Sequence, residues 1–191
     1  MVRTKEFEPD TALARAVDVF WERGYEKTSL QNLVDRMGIG RRSLYDTFGD
    51  KHTLFLRAME RYGAHRGSEQ LEIIDRAADA RQAVRILLET SLAEGLVLRR
   101  GCLTVNTATE ATTEDAEASA LVQRQFAKAR QLLRDLIDRG RREGLITSRG
   151  DSAALTAVVF NAWLGLRVRV RSGASLDELM ADVNAILTLL D

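Results

Sequence analysis

Apolar side chains recur along most of this chain at three- and four-residue spacing, the mark of helices with one face turned inward. From Pro9 and Asp10 onward, Leu13, Ala16, Val17, Phe20 and Trp21 share one such face, and Gly24 ends the segment. A second stripe, Leu30, Leu33, Val34 and Met37, follows a capping box expected from Thr28 and Gln31. Gly38 and Ile39 leave room only for a tight turn before a third helix, Arg41 to about Phe48, turned inward by Leu44, Phe48 and part of Tyr45.

Beyond Lys51 the spacing predicts longer helices. One runs from Thr53 to Tyr62 or further, and a second from Ala80 to about Leu98, with Val84, Leu87, Leu88, Ser91 and Leu92 on one face. A third, from about Asp115 to Gly144, is built on Leu121, Val122, Phe126, Leu132, Leu133, Leu136 and Ile137. Residues 151–170 are apolar nearly all round, and 175–190 form an amphipathic last helix. A helix apolar on several faces must be covered more than once.

With one proline and few aromatics in 191 residues, the turn punctuation and β-branched runs of an all-β fold are missing. The expectation is an all-α chain of about nine helices. The single cysteine, Cys102, excludes an intrachain disulfide framework and a thiolate metal cluster. No signal peptide or membrane span is expected, so the chain reads as cytoplasmic.

Net charge is zero, and residues 1–51 hold nine basic and nine acidic side chains, including Arg3 and Lys5 among the bases. A surface for nucleic acid must therefore come from sorting charges between faces. The stretch "MGIGRRSLYDTFGDK", 37–51, does this locally, placing Arg41, Arg42 and Ser43 at the start of the second of two short helices joined by a glycine turn. In a helix-turn-helix unit that start meets base edges in the major groove.

The stretch "AVDVFWERGYEKTSLQNLVDRMGIGRRSLYDTFGDKHTLF", 16–55, resembles the DNA-binding domain of the TetR/AcrR family of transcriptional regulators, through G-Y-x-x-T-S and G-I-x-x-x-S-L-Y-x-x-F-x-x-K-x-x-L. The resemblance implies a three-helix DNA-binding domain over 1–50 and a helical ligand-binding and dimerisation domain over 51–191. It implies phosphate contacts from Thr28, Tyr45 and Lys51, and contacts to bases or adjoining backbone from Gln31, Arg41, Arg42, Ser43 and Thr47. Gly40 stands where the family usually has a Ser or Thr cap, and Arg42 where a small residue is common. Asp46, which would repel phosphate, is expected to turn away or to pair with an arginine.

The family further implies a homodimer formed through the last two helices, fitting Phe160, Trp163, Leu164, Leu176, Leu179 and Ile186, although ordinary intrachain packing explains each residue equally well. A dimer with two recognition helices requires a palindromic double-stranded operator. A small-molecule effector is expected in the larger domain, with Tyr62, Cys102, Asn106, Phe126 and Trp163 as candidate lining residues. Repression is the commoner outcome in the family.

"GCLTVN", 101–106, resembles a segment in one subset of the family; Val105, Asn106 and Thr107 have some strand character, whereas the family places a short helix there. Cys102 is either a small buried hydrophobe or a redox or electrophile sensor, with Arg99 and Arg100 favouring its thiolate. An enzyme and a structural helical adaptor are the competing classes. Against the first, His52 and His65 have no nucleophile or metal-ligand partner near in sequence, and "GIG" lacks the strand and third glycine of a dinucleotide site. No catalytic residue, metal or cofactor is implied. The adaptor reading leaves 16–55 unexplained.

Overall fold

A computed structural model describes residues 7–110 and 115–191; Arg3 and Lys5 lie outside them. The described residues form nine α-helices and no strand. These are α1 (Pro9–Arg23), α2 (Leu30–Met37), α3 (Arg41–Phe48), α4 (Lys51–Arg76), α5 (Ala80–Leu98), α6 (Leu103–Glu110), α7 (Ala116–Arg142), α8 (Ser152–Ser172) and α9 (Leu176–Thr188).

Local chemistry sets most of these boundaries. Pro9 opens α1, where its missing N–H is no loss, and Gly24 closes it at φ 78°. The box at the start of α2 lies one residue later than expected. Ser29 accepts from the Asn32 amide and Asn32 returns a bond to the Ser29 amide, each 3.1 Å, whereas Thr28 is buried and donates to the Gly24 carbonyl at 2.6 Å. Gly38 turns the chain in the left-handed region at φ 69°, ψ 33°, which costs glycine little. Asp50 caps α4 through the Thr53 amide at 2.7 Å, so α4 begins two residues before the expected Thr53 and then runs on to Arg76. Over Val105–Thr107 the strand character yields to the short helix α6, whose inward residues are all buried.

Two apolar clusters divide the interior. The first joins α1–α3 to the N-terminal half of α4 and continues into Cys102, Leu103, Leu121 and Val122. The second holds α5, α8, α9 and the C-terminal part of α7. Packing does not break at residue 50: Phe20 meets Phe55 at 5.1 Å between ring centroids, and Trp21 meets Tyr62 at 4.9 Å.

Helix α8 is long and apolar enough to cross a membrane by length and composition, a feature the sequence reading did not anticipate. Its inward face instead carries the centre of the second cluster, where Trp163 is 1 % exposed. Phe160, Trp163, Leu179 and Ile186, expected at a subunit interface, are buried within the chain itself. Leu164 packs partly buried against both clusters. Leu176, also expected at that interface, is exposed, and with Val158, Val168 and Leu189 it forms the outward apolar set around α8 and α9, each at least 40 % exposed. Intrachain helices claimed the larger side chains first because α8 is surrounded by α5, α7 and α9.

Candidate DNA interface and effector cavity

Leu44 and Phe48 anchor α3 in the first cluster, which turns its other face to solvent. Arg41 and Arg42 are exposed at its first two positions, Ser43 is half-buried, Tyr45 is 44 % exposed and Thr47 is half-buried. Among the described residues the Arg41 side chain makes no ion pair or hydrogen bond. Arg42 Nε lies 3.7 Å from Asp46, one turn on, with both side chains well exposed, so the carboxylate is paired as expected. Such a pair is weak in water and is readily exchanged for another partner. Gly40 supplies no side-chain cap to α3.

Gln31 is exposed on α2 and donates to Asp35 at 2.7 Å. Lys51 sits at the first turn of α4 with Nζ 4.3 Å above the Tyr25 ring; partial burial there lowers its pKa, with Glu26 opposing. Thr28, by contrast, offers neither hydroxyl nor amide outward, since its N–H also donates within the chain, to Tyr25 at 3.2 Å. His52, without a partner near in sequence, finds Asp115 at 3.1 Å and Glu117 at 3.7 Å, both on the start of α7.

Tyr62, Cys102 and Phe126 come together on the wall of one cavity of about 500 Å³ between α4, α6, α7 and α8. Asn106 and Trp163 do not line it. Asn106 donates to the Arg100 carbonyl at 2.8 Å, and the Trp163 indole donates to the Ser91 hydroxyl at 2.9 Å. The sequence reading missed Gln125 and Arg167, each a polar residue on an otherwise apolar helix face. Gln125 donates to the Met59 carbonyl at 2.8 Å and accepts from Thr104 at 2.5 Å.

Around Cys102, Tyr62 Oη lies 3.4 Å and Arg167 Nη1 3.5 Å from Sγ. Burial pushes the thiol pKa up, but the Arg167 charge, the Tyr62 hydrogen bond and the Val105 and Thr104 amides at the start of α6 outweigh it and hold it below the ordinary value. Burial beside Cys102 raises the Tyr62 pKa well above the usual range, so Tyr62 remains a hydroxyl donor. The expected cations are not the ones at work here. Arg100 turns away to Asp18 at 3.0 Å and lies 3.8 Å over the Trp21 ring, while Arg99 is exposed.

Residues 12–58 match the family described as "Bacterial regulatory proteins, tetR family", and 81–181 match "Tetracyclin repressor-like, C-terminal domain". The chain is 32% identical over 198 aligned positions to an uncharacterized HTH-type transcriptional regulator, YezE of Bacillus subtilis, covering all of both. It is 27% identical to the HTH-type transcriptional repressor ComR of Escherichia coli, over 98% of this chain and 90% of that one. Its fold matches that of a cysteine mutant of the TetR family transcriptional regulator CifR complexed with 26bp double-strand operator DNA. That match has a TM-score of 0.89 and 32% identity, over 99% of this chain and 100% of that one.

Proposed function

The chain belongs to the TetR family of bacterial transcriptional regulators, and from that premise we propose that it is a cytoplasmic repressor released from a palindromic operator by a small molecule bound in the cavity beside Cys102. The observation that carries the reading is α3, anchored by Leu44 and Phe48 with Arg41, Arg42 and Tyr45 facing solvent. Residues 1–50 form the reading unit and 51–191 the ligand and dimer unit. Arg41 and Arg42 reach base edges, with Ser43, Thr47 and Gln31 beside them, and Tyr45 and Lys51 hold phosphates. Thr28 acts from inside, fixing the turn that presents α2.

Val158 and Val168 on α8, Leu176 on α9 and Leu189 just after it face the second subunit. The dimer places two α3 helices about 34 Å apart, one turn of DNA. An effector acts by favouring one spacing of these helices over the other. The route inward from the cavity is short: Gly101, next to Cys102, accepts the Trp21 indole N–H at 3.1 Å, and Tyr62 packs on the same ring.

A gel shift against DNA upstream of its own gene, repeated at rising salt, tests the reading. Binding to one sequence that weakens as salt rises is expected. Binding indifferent to both sequence and salt would overturn it.

A second reading rests on the Cys102 site: the thiolate is itself the sensor, forming a carbon–sulfur bond with a soft electrophile that enters the cavity. Operator affinity measured before and after treatment with iodoacetamide, which loses iodide as the bond forms, tests it. Alkylated protein that still binds operator unchanged excludes the sensor.

A further inference from the structure

We infer that the cavity takes an organic acid with an apolar body, its carboxylate paired with Arg167; the inference rests on reading this cavity as the effector site. Arg167 is 8 % exposed, on the cavity wall, with its guanidinium stacked 4.1 Å from the Trp163 ring and Nη1 against the Cys102 sulfur. Among the described residues it has no carboxylate partner within ion-pairing distance. A buried cation whose contacts are a sulfur and an aromatic face has no carboxylate to neutralise it, which is the partner that burial of an arginine ordinarily calls for.

The rest of the wall favours the same ligand. Arg124 and Lys128 on α7 also border the cavity and, among the described residues, form no ion pair; Glu60 is the one carboxylate among the lining residues, so cations outnumber acids there. Tyr62 and Gln125 are already engaged within the chain, and among the charged residues of the wall it is Arg167 that is buried. Leu121, Phe126 and Phe160 supply apolar surface for the remainder. A planar guanidinium pairs a carboxylate through two parallel hydrogen bonds. The volume of about 500 Å³ lies in the range that encloses a drug-sized molecule.

A bound carboxylate and the Cys102 thiolate compete for one cation. Acid binding therefore shifts Cys102 toward its protonated thiol.

The test titrates the full-length protein at pH 7.5 with octanoate and trans-cinnamate, and with octanamide and cinnamamide as uncharged controls, following tryptophan fluorescence and the melting temperature. Both acids are expected to bind at least ten-fold tighter than their amides and to slow iodoacetamide alkylation of Cys102. Arg167→Gln should bring the acid-to-amide ratio to about one, and Arg167→Lys should keep most of it. Because Arg167→Gln removes a buried stacking group, Cys102→Ala serves as a second variant, in which acid binding should persist or tighten. Amides that bind as well as acids, acids that do not bind, or a ratio unchanged in Arg167→Gln would each overturn the inference. Operator gel shifts run in parallel separate the two readings: acids that bind yet leave the DNA complex intact support the ligand class and remove the effector role.

Discussion

The indole Nε1 of Trp21, on the first helix of the DNA-reading unit, donates a 3.1 Å hydrogen bond to the carbonyl of Gly101, 80 residues on and adjacent to Cys102. Arg100 lies 3.8 Å over the same ring and pairs with Asp18. The loop before α6 is thereby fastened to α1 by two neighbouring residues, a direct link between the neighbourhood of Cys102 and α1 that does not run through α4.

Trp21→Phe keeps the ring contact with Tyr62 and removes the bond to Gly101. It should cost about 1 kcal/mol of stability, measured by urea unfolding. Operator binding should survive, but its loss on alkylation of Cys102 should become smaller. A response equal to that of the unmodified chain would show that coupling runs elsewhere.

Arg42→Ala should relax operator preference more than it weakens binding to unrelated DNA, with about 1 to 3 kcal/mol of discrimination lost at the affected base pair. Competition gel shifts against single-base operator variants read this directly. Equal loss on every sequence would demote Arg42 to a phosphate contact. Asp46→Ala, which removes the 3.7 Å partner of Arg42, should strengthen DNA binding generally.

Lys51→Ala should weaken binding about equally on all sequences and lower the salt dependence by about one released counterion. The slope of log affinity against log salt, compared between variant and parent, is the measurement.

The rate of Cys102 alkylation should rise with pH about a midpoint below the ordinary 9.0, since Arg167 and the α6 amides favour the thiolate despite burial. Between the two values the folded chain holds a thiolate and the unfolded chain a thiol. The contribution of Cys102 to stability therefore grows as pH rises through this window and is lost as pH falls through the lowered value. Arg167→Gln should move the midpoint upward.

Asp115 both caps α7, through the Ala118 amide at 2.9 Å, and pairs with His52. Burial opposes its ionisation, but the Ala118 amide and His52 prevail and hold its pKa below 3.8. The stabilisation it contributes is present above 3.8 and fades as pH falls through the lowered value. Asp115→Ala should cost about 1 kcal/mol, and Asp115→Asn, which can still cap, distinctly less. Equal losses in thermal melts would place the whole effect in the His52 pair.

Much of the fold was legible in order of residues. The spacing of Leu44 and Phe48 against Arg41, Arg42 and Tyr45 sets α3 and its outward face, and Gly24, Gly38 and Pro9 set turns and starts, because helix periodicity and backbone permissiveness are properties of a few neighbouring residues. The capping box was misplaced by one residue because Thr28 and Ser29 are equally able to cap, and only the burial of Thr28 against Gly24 decides between them.

Tertiary structure decided what distant residues do to one another. Arg99 and Arg100 stand beside Cys102 in sequence, yet the cation at its sulfur is Arg167, 65 residues on, because α8 crosses the start of α6 while Arg100 is drawn to Trp21 and Asp18. Phe160 and Trp163 read as subunit-interface residues by their apolar bulk, and Trp163 as a cavity residue as well. Close packing by α5 and α7 buries them inside one chain, leaving smaller residues such as Val158 and Val168 outward. Sequence by itself determined the helices and the outward face of α3, since these follow from local spacing. Which cation meets the thiol, and which apolar face stays open, depended on helix crossings that no local spacing encodes.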